Sequence, residues 1–216
     1  METVKNGKEK QEAYTQSFDT LNKAMKNGFY LEAVVITYAI MEDRLVSFLH
    51  HAGIVTRDKG NMKVNTRLYP YMRELLKKEE KKSINVKDIS VKIALIKALM
   101  NMTANDAKSI DAIIDQKAAE NCIRTKALAG YMENLYEQIE KTLNRQEINE
   151  LLDAVDHWRD SRNQLIHALL SKTASTSEVA RIECAENGYT LARNIDNILV
   201  KRFKRKNDIR KKYNIQ

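Results

Sequence analysis

Apolar positions recur at helical spacing along almost the whole chain. Tyr14, Phe18, Leu21 and Met25 fall three or four apart, which predicts an amphipathic helix over 3–27, stopped at Asn27-Gly28. The most apolar stretch follows, from Phe29 to His51, with Leu31, Val34, Val35, Tyr38, Met41 and Leu45 available for packing. It reads as an inner helix of a bundle, ended by Gly53. Glu42-Asp43-Arg44 interrupt it with three consecutive charges, so at least one of them must point near the core. Residues 54–66, with Gly60, Asn61 and Asn65, read as a loop. A short helix is expected over 68–82, entered at Pro70, and another over 86–102 on the stripe Ile89, Ile93, Ile96 and Met100. Thr103 followed by Asp106 has the form of a helix cap and opens a helical stretch to Asn144, with a break near Ala129-Gly130. Helices over 145–170 and 178–206, joined by a polar turn, complete the series.

Composition agrees with this pattern. One Pro and six Gly in 216 residues leave few breakers, and no run of alternating β-branched residues appears, so the fold class is all-α, a helical bundle. No apolar run approaches the roughly 20 residues that span a bilayer. The longest, Val91 to Met102, is broken by Lys92 and Lys97. Met1 to Lys10 is polar with no apolar run behind it, so no secretory signal is expected. Cys122 and Cys184 lack ligand-type spacing and read as reduced thiols, which points to a cytoplasmic setting. Glycine-rich phosphate loops, zinc-type Cys/His sets and a Gly-x-Ser-x-Gly elbow are absent from the sequence, and no cofactor or metal is expected.

The helix over 145–170 carries the candidate chemistry. Leu151, Val155, Trp158, Leu165 and Leu169 form its apolar stripe, and Arg162 occupies the middle of the seven-residue gap. An arginine at a stripe position needs a partner, water or a ligand, because an unpaired buried charge costs several kcal/mol. A polar line of Asp156, Arg159, Asn163 and His167 runs beside it. Net charge is +8, and between Lys201 and Lys212 eight bases face one acid, Asp208. That tail is either a solvated helix end or a contact to a phosphate backbone, with Lys201, Arg202, Lys204, Arg205 and Lys206 as its RNA-binding candidates.

Arg162-Asn163-Gln164-Leu165-Ile166-His167 has the form Arg-polar-x3-His and resembles the signature of the HEPN superfamily. Gly28-Phe29-Tyr30-Leu31-Glu32-Ala33, running into Tyr38 and Glu42, is similar to the first core helix of such domains. The resemblance covers roughly 28–52 and 145–205; the helices between 54 and 144 are an insertion that it does not match, within a single domain over 1–216. It implies a metal-independent endoribonuclease in a toxin or antiviral-defence setting, with its site formed across a homodimer and an antitoxin or defence protein as partner. Arg162, Asn163 and His167 would be catalytic, Arg159 would contact RNA, and Glu42 would support the site. The residue types suit the reaction independently. An imidazole moves protons near neutral pH, and a guanidinium holds phosphate in bidentate fashion. Five residues along a helix is about 140° around its axis, so one copy gives a sparse site and two copies would pool two arginines and two histidines. Some family members are silenced by modification of a Tyr two residues after the His; Leu169 stands there, which puts that control in doubt.

Other readings stand beside this one. Arg162 is also a candidate for a structural ion pair with Glu42, and His167 for an ordinary surface histidine. His157 is an alternative imidazole, Trp158 reads as core, and Arg159 is a candidate for ion pairing with Asp156 or Asp160. Adjacent His50 and His51 point about 100° apart and make a poor metal pair. The rival function is a non-catalytic all-α dimeric module that binds RNA, a nucleotide or a protein partner.

Overall fold

The computed structural model describes residues 7–58, 61–65, 68, 69, 72, 73, 76, 84–120, 129–170, 178–203 and 209–213. The fold is all-α. In chain order the helices are α1 (Gly7–Lys26), α2 (Tyr30–His51), α3 (Ile89–Asn101), α4 (Ala104–Glu120), α5 (Tyr131–Thr142), α6 (Arg145–Leu170), α7 (Glu178–Asn194) and the short α8 (Ile209–Lys212). Between α2 and α3 lies an antiparallel hairpin of β1 (Val55–Asp58) and β2 (Asn61–Val64), in a segment expected to be loop. Its strands are too short for alternation to register, and Val55 pairs with Val64, both buried. The last long helix was expected to run unbroken to 206. It changes instead to a π-helical turn over Ile195–Lys201. The expected helix over 68–82 and the turn over 171–177 lie largely or wholly outside the described residues. Among the described residues no helix is long and apolar enough to cross a membrane.

The chain resolves into two compact units, Met1–Arg44 with Glu150–Asn197, and Leu45–Asn149 with Ile198–Gln216. The resemblance-based core over 28–52 and 145–205 therefore has parts in both. In the first unit α2 turns back on α1 at Gly28, whose φ of 73° suits glycine. The Tyr189 hydroxyl of α7 donates to Asn22 of α1 at 3.0 Å, and Arg193 lies over Phe18 at 4.3 Å, so α7 runs against α1. The unit's helices are α1, most of α2, most of α6, and α7, with α2 and α7 both running opposite to α1.

Asp43 and Arg44, two of the three charges inside α2, find partners in this unit. Tyr14 donates to Asp43, and Arg44 stacks on the Tyr14 ring while pairing with buried Asp196 of the π turn at 2.9 Å. Burial, with the nearby Asp43 carboxylate, holds the Tyr14 hydroxyl well above its ordinary pKa.

The second unit is centred on Tyr131, fully buried, whose hydroxyl donates to the Ala52 carbonyl and whose ring meets Tyr213 edge-on at 5.2 Å. Asp111 of α4 caps the start of α5 by accepting from the Met132 and Glu133 amides at 3.0 and 2.9 Å. Arg145 donates to the Met100 and Met102 carbonyls and so satisfies the end of α3.

Candidate functional site

Helix α6 begins at Arg145 and ends at Leu170, as its pattern predicts, and Leu151, Val155, Trp158 and Leu165 of its stripe are buried. Trp158 is a core residue. Its indole Nε1 donates to the Cys184 carbonyl at 2.8 Å, and a Cβ on Gly188 would stand only 2.7 Å from its ring. A helical glycine thus admits the indole against the α7 backbone.

Arg162 sits half-buried on the adjacent edge of that stripe. Its guanidinium carbon lies 4.5 Å from the centroid of the Tyr38 ring of α2, and one Nη donates to Asn163 Oδ1 at 3.0 Å. Its Nε is buried without a hydrogen-bond partner among the described residues. A ring face and a neutral amide orient the guanidinium but do not neutralise it. Glu42, the expected supporting residue, lies one turn beyond Tyr38 and is half-buried; the contact from α2 that reaches Arg162 is the ring. His167 is exposed, one turn beyond Asn163.

The remaining candidates separate. Arg159 pairs with both Asp156 and Asp160, each at 2.9 Å. Lys201, the last residue of the π turn, and Arg202 are exposed and belong to the second unit, where Arg202 pairs with Glu147 at 2.8 Å. Lys204, Arg205 and Lys206 lie outside the described residues. Cys184 is a buried free thiol that burial pushes up in pKa, a shift the positive charge of Arg162 only partly offsets. Among the described residues no group of three or more His, Cys, Asp or Glu side chains could hold a metal ion.

Two features of the site escape a reading of sequence alone. Among the described residues the exposed large apolar side chains are Phe29 (58%), Val35 (54%), Leu169 (39%) and Val179 (61%), and all four belong to the first unit. Separately, a groove of about 640 Å³ runs between α6 and α7, lined by His157 and Ser161 on one wall and Glu183 and Asn187 on the other. Neither Arg162 nor His167 lines it. No family model, no curated protein and no solved structure matches the chain.

Proposed function

We propose that α6 is the catalytic helix of a HEPN-like, metal-independent endoribonuclease that acts as a homodimer, in a toxin or defence setting. The observation that carries this reading is Arg162. Its guanidinium is held by Tyr38 and Asn163 without neutralisation, one and a half turns from an exposed histidine. Such a cation suits a phosphodiester. Exposed Leu169, seven residues beyond Arg162 on the same side of α6, supports a second copy covering the site, since apolar surface beside a site marks an interaction surface.

In this reading the RNA 2′-oxygen attacks the adjacent phosphorus while the bond from phosphorus to the 5′-oxygen breaks. One copy's His167 takes the 2′-hydroxyl proton and the other's protonates the departing 5′-oxygen. The products are a 2′,3′-cyclic phosphate and a 5′-hydroxyl. Arg162 offsets charge that develops on the non-bridging oxygens, and the Asn163 amide keeps the guanidinium in plane.

The test is RNA cleavage by purified protein in EDTA beside His167→Ala. The variant, altered at an exposed position, is expected to fold normally and to lose about 10² to 10⁴ in rate. Equal cleavage by both proteins would remove His167 from the mechanism. The rival reading, a non-catalytic binding module, draws on Arg159 and Arg202 being engaged in ion pairs. Saturable RNA binding without turnover would favour it.

A further inference from the structure

The groove between α6 and α7 has a repeat that a small-ligand cavity does not need. Ala154, Ser161 and Ala168 line it at intervals of seven, as do Glu183 and Thr190 on the facing helix, and each remaining lining residue also has a mate seven positions away. A seven-residue repeat on both walls describes a straight trough. From Ala154 to Ala168 it extends about 21 Å, or four helical turns. Its floor is buried Trp158, Leu165 and Cys184, and small Ala154, Ser161, Ala168 and Ala180 along its sides leave room for side chains entering from outside, which is the surface a third helix packs into.

Charge selects the kind of helix. No Lys or Arg lines the trough, although the chain as a whole carries a net charge of +8. Glu183 lines one wall, and Glu186 is exposed one turn further along α7. Arg159 is engaged with Asp156 and Asp160. An acidic helix would meet Glu183 with no lining cation to offset it.

We propose that this trough docks a basic amphipathic helix of a partner protein, with a small or apolar seam on its floor and Lys or Arg toward the Glu183 wall. The proposal stands independently of the ribonuclease reading, because neither Arg162 nor His167 lines the trough.

The structure contains its own reporter: Trp158 is the single tryptophan of the chain and lines the trough. The experiment titrates the full chain with two tryptophan-free helical peptides of about 20 residues. Both have an Ala/Leu seam; one has Lys flanks and the other Glu flanks. The Lys peptide is expected to change Trp158 emission saturably and to bind at least about tenfold more tightly than the Glu peptide. Ser161→Arg, at an exposed position, adds bulk and positive charge and is expected to weaken the Lys peptide by about tenfold or more. Glu183→Lys, also exposed, should narrow the preference, with far-UV circular dichroism showing both variants folded. No emission change with the Lys peptide, equal binding of both peptides, or indifference to Ser161→Arg would overturn the proposal. So would self-association of the free chain that Ser161→Arg abolishes, which would assign the trough to a second copy. A response to an RNA oligonucleotide in place of the peptide would assign it to nucleic acid.

Discussion

Arg162 was legible as special because it stands where the stripe of α6 calls for an apolar residue. Its neighbour across the bundle was not legible, since periodicity assigns a residue to a face and does not say which facing residue it meets. Tyr38 was read as a packing residue, and the ring proves to be the surface on which the guanidinium lies. Arg162→Lys keeps the charge but loses the planar fork and the stacking. Under the proposed function it should lower cleavage by at least about tenfold while the melting temperature stays nearly constant. A fully active lysine variant would reduce Arg162 to a general source of positive charge. Gly188 gave no signal in the sequence, where it is one residue within a helical stretch. Gly188→Ala would press a methyl into the Trp158 ring and is expected to cost about 1–3 kcal/mol in chemical denaturation. Unchanged stability would show that the indole can move aside without loss.

Elements whose ends rest on local chemistry were read well. Thr103 and Asp106 form the expected reciprocal cap: the Thr103 amide and hydroxyl donate to Asp106 Oδ2, each at 2.8 Å, and the Asp106 amide donates back to Thr103 Oγ1 at 3.1 Å. The bond from the Thr103 backbone, then that from its hydroxyl, holds the Asp106 carboxyl below its ordinary range. A depressed folded pKa contributes stability above the unfolded value, and that contribution is lost as pH falls through the folded one. Asp106→Asn should therefore narrow its stability difference from the parent chain as pH drops below the usual aspartate range near 4. A difference constant with pH would mean that the bonds, and not the charge, carry the cap. Elements set by distant partners were read less well. The hairpin needs Val55 to find Val64, and the π turn places Asp196 against Arg44. Asp196→Ala would leave Arg44 unpaired in a nearly buried site, and a loss on the order of 3–5 kcal/mol is expected by thermal or chemical unfolding. A loss under about 1 kcal/mol would mean that water or the Tyr14 ring replaces the carboxylate.

For the whole molecule, composition and pattern were enough for the all-α class, while the division into two units was not visible in them. Both α2 and α6 begin in one unit and end in the other, so no linker or composition shift marks a boundary. The assembly prediction belongs at this scale. Leu169 is exposed, seven residues beyond Arg162 on the same side of α6. Under the proposed function Leu169→Asp should therefore convert the proposed homodimer to monomer in light-scattering measurements and abolish the proposed cleavage with it. An intact, active dimer would separate Leu169 from the site. The central claim, that α6 directs attack by the 2′-hydroxyl of RNA without a metal, is tested most directly by one comparison: single-stranded RNA and DNA of the same sequence, incubated with the protein in EDTA, with the product ends read by mass spectrometry. The account predicts RNA fragments ending in a 2′,3′-cyclic phosphate and an intact DNA strand. Cleavage of both strands, or RNA fragments bearing 5′-phosphates, would contradict it.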